Sequence, residues 1–220
     1  MNPTETEQAR FNMIEQQIRP WDVLDQRVLD VMNSIPREQF VPESYRSLAF
    51  ADTSIPLGHS QVMMTPRLEG RLLQSLAIKP EDDVLEIGTG SGYLTACLAS
   101  LGRHVTSIDI MPDFTTAAGA VLAALNIRNV TMETADAAAG IEGEERYDAI
   151  AVTGSLPLLQ QQFQRNLEIG GRLFIITGTL PIMEARLITR IDEHNWASEC
   201  LLETCLPPLL NATVPQAFIF

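Results

Sequence analysis

No run of 18 or more apolar residues occurs in this 220-residue sequence, so no membrane-crossing helix is expected. Its opening, Met1-Asn2-Pro3-Thr4-Glu5-Thr6-Glu7, lacks the basic start and apolar stretch of a secretion signal. A cytoplasmic protein is expected. Cysteine is scarce. Cys97, Cys200 and Cys205 form an odd set without metal-ligand spacing, read as idle thiols in a reducing compartment. His59, His104 and His194 do not cluster either, and no metal site is expected. Basic charge is scarce too. Fifteen Lys and Arg stand against 28 Asp and Glu, a net charge of −13, and Arg37, Arg46, Arg67 and Arg71 are scattered. Such a field repels phosphate backbones, so nucleic acid is not expected as a partner. What remains is a globular composition, 45% hydrophobic and 20% charged. It suffices for one compact α/β unit with a small extension, expected to be a monomer or weak dimer.

Residues 1–79 read as a helical segment with an ordered loop, and residues 80–220 as an α/β core. Phe11, Ile14 and Ile18 lie at helical spacing over 8–18, with Pro20 as the stop. Asp25 is placed to cap a second helix carrying Val28, Leu29, Val31 and Met32. Residues 51–66 mix Gly58, Pro56 and Pro66 with polar and apolar residues, which predicts a loop. A helix follows over 67–77. From Pro80 the rhythm becomes strand and helix in turn. Strands are predicted at 83–87, 104–110, 130–133, 147–153 and 172–177, with helices at 92–101, 113–125 and 158–167. That order implies a doubly wound, mostly parallel, Rossmann-like sheet covered on both faces. Stretches 184–191 and 199–203 would complete seven strands, and 217–220 reads as a terminal piece.

The richest stretch is Val84-Leu85-Glu86-Ile87-Gly88-Thr89-Gly90-Ser91-Gly92-Tyr93-Leu94. A strand runs into three glycines at alternate positions and then a helix. Such a turn suits a nucleotide-like ligand at the carboxyl end of a parallel strand. The dinucleotide fingerprint needs a third glycine where Tyr93 stands, and no Walker lysine follows. Asp109 ends the next strand, where a carboxylate can accept from both ribose hydroxyls. Asp136, just past the third strand, can accept from an adenine amino group. Each aspartate alone would read as a turn residue or cap. Together with the loop they occupy one rim of the sheet.

These features resemble the class I S-adenosylmethionine-dependent methyltransferases. More narrowly, the chain resembles the protein-L-isoaspartate O-methyltransferase family from Met13 to about Gly178. The narrower likeness is carried by Met13-Ile14-Glu15-Gln16-Gln17-Ile18-Arg19-Pro20, by Ile35-Pro36-Arg37-Glu38-Gln39-Phe40-Val41-Pro42 and by Pro56-Leu57-Gly58-His59. The resemblance implies S-adenosyl-L-methionine as cofactor and S-adenosyl-L-homocysteine as product. It implies methyl transfer to the free carboxylate of an isoaspartyl residue in damaged protein. The ester then closes to a succinimide that can reopen as aspartate. By resemblance, Glu86 with Gly88, Thr89, Gly90, Ser91 and Gly92 cradles the methionine portion. Asp109 with Ile110 holds the ribose, Asp136 with Ala137 reads adenine, and Gln61, Val62, Met63 and Met64 border the methyl donor.

The chain also departs from the family. Where relatives continue Gln-Thr-Ile-Ser-x-Pro, it has Gln61-Val62-Met63-Met64-Thr65-Pro66, and Leu210 stands where another hydroxyl is expected. Valine and methionine cannot donate a hydrogen bond. The candidates for positioning the acceptor are His59, Gln61, Met64 and Thr153. A bracing role for His59 and a helix-capping role for Ser155 are the plainer alternatives. Three readings stay open: isoaspartyl methylation with altered contacts, a family member with another acceptor, and a cofactor-binding protein without catalysis.

Overall fold

The computed structural model describes residues 3–214, so the stretch 217–220 lies outside it. Helix α1 (Pro3–Met13) continues through a wide turn at Ile14–Ile18 and a tight one at Arg19–Trp21, where Pro20 ends the helical run. Helix α2 (Gln26–Ser34) begins where the Asp25 carboxylate accepts from the Arg27 N–H at 2.9 Å, the predicted cap. The expected loop at 51–66 is instead largely a hairpin of β1 (Ile55–Gly58) and β2 (Gln61–Met63), leading into α3 (Pro66–Leu76). His59 and Ser60 form its turn, both at positive φ. That geometry matches the twist of paired strands, but it is normally signalled by Asn-Gly or Asp-Gly.

The core then alternates as predicted: β3 (Asp83–Ile87), α4 (Tyr93–Leu101), β4 (His104–Asp109), α5 (Pro112–Ala124), β5 (Val130–Thr134), β6 (Tyr147–Leu156), α6 (Gln161–Arg165) and β7 (Leu167–Thr179). Helix α6 is shorter than expected because residues 157–160 form no helix and β7 begins at Leu167. Hairpin strands β8 (Ile182–Arg190) and β9 (Trp196–Thr204) finish the sheet, whose order is β5-β4-β3-β6-β7-β8-β9. Strand β8 alone runs against its neighbours.

Alternation along the strands sorts the core into two layers. Val84, Ala149, Ala151, Phe174 and Ile176 pack with the apolar stripes of α2, α3 and α4. Leu85, Ile87, Ile150, Val152, Leu173 and Ile175 face the other way, under Phe163 of α6 and Tyr147. One consequence decides the site. The carboxyl ends of β3, β4, β5 and β6 share one rim, and the β1–β2 hairpin lies against it.

Candidate active site

The rim is built outward from the turn after β3. The Gly88 N–H donates to the Ile108 carbonyl at 2.7 Å, and Gly88 sits at φ 97°. A Cβ there would lie 2.3 Å from Thr153 Oγ1, so only glycine fits. Gly92, at φ 82°, opens α4, and a Cβ would meet the Ala118 Cβ at 2.6 Å. These contacts hold the loop flat against β6 and α5. The Gly90 N–H donates to Asp109 Oδ2 at 2.9 Å, and the Met111 N–H donates to Oδ1 at the same distance. Asp109 is therefore held rigidly at the end of β4. Asp136 accepts from the Ala138 N–H at 3.1 Å and from the Asn211 amide at 2.7 Å.

Two adjoining cavities open here. The larger, about 590 Å³ with its mouth, is lined by Gln61, Val62, Gly88, Gly90, Asp109, Ile110, Asp136, Ala137 and Thr153. The smaller, about 310 Å³, is lined by Val62, Met63, Met64, Glu86, Gly88, Thr89, Gly90, Ser91 and Thr153. Volumes of a few hundred Å³ suit a cofactor-sized ligand. Of the predicted site residues, two line neither cavity. Gly92 packs the helix start. His59 holds the hairpin tip to α5, its Nε2 lying 2.8 Å from Asp113 Oδ2 and its ring edge-on to Phe114. That pairing draws the Asp113 carboxyl below its ordinary range.

Glu86 is fully buried. Its Oε2 accepts from Thr95 at 2.5 Å and from Ser107 at 2.6 Å, while Oε1 has no partner among the described residues. Burial pushes this carboxyl up to about 8, against the pull of both hydroxyls. The two hydroxyls that could replace the missing Thr and Ser are already committed. Thr153 Oγ1 donates toward the Ile87 and Gly88 carbonyls, and buried Ser155 donates to the Leu206 carbonyl at 2.7 Å. Ser155 therefore caps no helix. The Gln61 amide faces the larger cavity with no side-chain partner among the described residues.

One feature went unread in the sequence. Arg37, counted as one of several scattered arginines, is fully buried. Its Nε and Nη2 grip Glu69 at 3.1 and 3.2 Å, and its remaining donors reach the Ala49 and Met64 carbonyls, both at 2.7 Å. Burial pushes Glu69 up to about 7 while the guanidinium pulls it down. The guanidinium also lies 5.2 Å from the Tyr93 ring centroid. Tyr93 thus fills the place of the absent third glycine by packing on this charged layer. The strap formed by Leu209 and Leu210, the latter already read as standing in a hydroxyl's place, lines the larger cavity, with Leu209 against Gly88 and Gly154. No alternation or charge pattern marked Arg37 as buried beforehand.

Residues 8–206 match the family model described as Protein-L-isoaspartate(D-aspartate) O-methyltransferase. The chain belongs to this family. It is 36% identical over 201 residues to the protein-L-isoaspartate O-methyltransferase of Rhodopseudomonas palustris, covering 91% of this chain and 92% of the relative. It is 36% identical over 187 residues to the enzyme of the same name from Syntrophus aciditrophicus, covering 85% and 86%. Its fold matches a protein-L-isoaspartate O-methyltransferase structure from Plasmodium falciparum, solved with S-adenosyl-L-homocysteine. The TM-score there is 0.78 at 20% identity, covering 93% of this chain and 97% of the other. Among the described residues no helix is long and apolar enough to cross a membrane.

Proposed function

We propose that this chain is an S-adenosyl-L-methionine-dependent O-methyltransferase that esterifies the free carboxylate of isoaspartyl residues in damaged protein. The observation that carries the reading is the family match over residues 8–206, which spans the β1–β2 hairpin and the strands β3 to β6 of the rim. Full-length relatives of the same name favour isoaspartyl methylation over another acceptor or a non-catalytic role. The three unpaired thiols suit a cytoplasmic setting.

The residues present fit such a cofactor. The orphaned Glu86 Oε1 suits a ligand ammonium, which would also draw the carboxyl back into its ionised form. Asp109 and Asp136 keep lone pairs free beyond the backbone and amide donors they already hold. We assign the sugar hydroxyls to Asp109, the base to Asp136 and Ala137, and the amino-acid portion to Glu86 with the loop 88–92. The cofactor, when bound, supplies an electrophilic methyl group. An acceptor carboxylate needs no base to attack it, so the protein's work is alignment and exclusion of water. Val62, Met63 and Met64 form an apolar wall beside that point, and the free Gln61 amide is the group placed to hold the acceptor oxygen. His59, tied to Asp113, keeps the hairpin seated.

Purified protein, labelled cofactor and matched isoaspartyl and normal aspartyl peptides test this. The expected result is a base-labile methyl ester on the isoaspartyl peptide alone. No ester on either peptide would end the reading.

A further inference from the structure

The buried Arg37–Glu69 pair reaches the smaller cavity. Glu69 is part of its lining, with Met63 and Met64 on one side and Ser91 and Leu94 on another. Stability alone gives no reason for such a pair, because apolar residues of similar volume often replace one at no loss. What the pair does hold is relative position. Four of the five Arg37 N–H groups are used. They reach the Ala49 carbonyl, the Met64 carbonyl just past β2, and both Glu69 oxygens on α3. The same guanidinium lies over the Tyr93 ring, 5.2 Å from its centroid, and Tyr93 opens α4 directly after Gly92. Arg37 and Tyr93 are both fully buried. One enclosed cation therefore touches two sides of the reaction site, the methionine wall through the Met64 backbone and the glycine turn through Tyr93.

We propose that Arg37 is a positioning residue for methyl transfer, fixing the Met63–Met64 wall against the glycine turn and so setting how acceptor and methyl group meet, a role that rests on the isoaspartyl reading above. An acceptor carboxylate needs no base, so alignment is the main thing left for the protein to supply. A displacement of about 1 Å can cost roughly 100-fold in rate. A grip on backbone suits this task. Methionine side chains are flexible, whereas a carbonyl held at 2.7 Å by a buried guanidinium keeps its place whatever rotamers they adopt. The far side of the site is anchored separately. Asp109 is fixed by the Gly90 and Met111 N–H groups, and Asp136 by Ala138 and Asn211. Releasing Arg37 should therefore misalign the wall without loosening the grip on the cofactor's sugar and base.

The test uses the full chain and an isoaspartyl peptide, with competent sites counted by calorimetric titration with S-adenosyl-L-homocysteine. Arg37→Lys keeps a cation opposite Glu69 but lacks the fork that reaches all three partners at once. Arg37→Met/Glu69→Leu keeps the volume and removes the grip. Per counted site, kcat should fall roughly tenfold in the first and roughly 100-fold in the second, while Kd for S-adenosyl-L-homocysteine stays within about threefold. A merely structural role would reduce the number of counted sites and leave kcat per site unmoved. Unchanged kcat per site in a folded variant, or a Kd that weakens in step with kcat, would overturn the assignment. Failure of both variants to fold would overturn it too, by marking the pair as scaffold alone. Wild-type protein that esterifies no peptide would instead overturn the activity, and the role of Arg37 with it.

Discussion

Asp109 shows how much a single side chain does at this rim. Its two oxygens anchor the glycine loop and the start of α5, and the same carboxylate is assigned the sugar. Charge-assisted hydrogen bonds contribute about 1.5–3 kcal/mol each. Asp109→Ala should therefore weaken S-adenosyl-L-homocysteine binding by roughly 10- to 100-fold in calorimetry and lower the melting temperature of the free protein. Unchanged affinity would remove Asp109 from the binding set. Val62 and Met64 make the opposite case, since they lack what relatives have. Thr153 and Ser155, the two candidates for compensating, are committed to backbone carbonyls. The Val62→Thr/Met64→Ser double variant should raise kcat/KM on isoaspartyl peptide by roughly tenfold or more, because each new donor contributes about 1 kcal/mol. A fall in rate would mean that the apolar wall is matched to a different acceptor.

At the scale of elements, the hairpin and the N-terminal segment depend on the buried Arg37–Glu69 pair. It joins the turn after α2 to the start of α3 and holds the Met64 carbonyl. Removing one partner leaves a buried charge without compensation, at a cost of about 3–5 kcal/mol. Arg37→Ala should show that loss in urea denaturation, whereas Arg37→Met/Glu69→Leu, which removes both charges, should lose much less. Equal losses would show that the pair matters only as packed volume. Element type was largely legible in the sequence. Asp25 and Pro20 bound helices because cap and ring chemistry act locally. The β1–β2 hairpin was not legible, because His59 and Ser60 accept left-handed backbone only with the tip held by the His59–Asp113 pair and β2 packed on the rim. The C-terminal end of α6 was set by sheet pairing, as Leu167 aligns with Tyr147 across 20 residues of chain.

Over the whole molecule, two carboxyls enclosed in the fold set the response to pH. Glu86 is raised from 4.5 to about 8 in the folded protein. The native state therefore keeps a proton that the unfolded chain releases above about 4.5. Stability from this proton is complete below that pH and disappears as pH rises through about 8, for a total of about 5 kcal/mol. Glu69, raised to about 7, acts in the same direction. Urea midpoints should fall steadily from pH 5 to pH 9, and Glu86→Gln should flatten the slope. A midpoint that rises over this range would mean that Glu86 is ionised in the folded protein. Saturating cofactor should likewise flatten the wild-type slope if an ammonium pairs with Oε1.

Strand and helix order, the glycine turn and the two rim aspartates could be read from the chain alone, because each depends on neighbours a few residues apart. So could the family, through short motifs in contiguous stretches. Only the tertiary structure determined which polar groups stay free for a ligand. Thr153 and Ser155 lost their hydroxyls to carbonyls from elsewhere in the fold, Arg37 was buried on a partner 32 residues away, and Glu86 kept one oxygen bare. Local sequence sets what a side chain can donate or accept. Long-range packing decides what meets it.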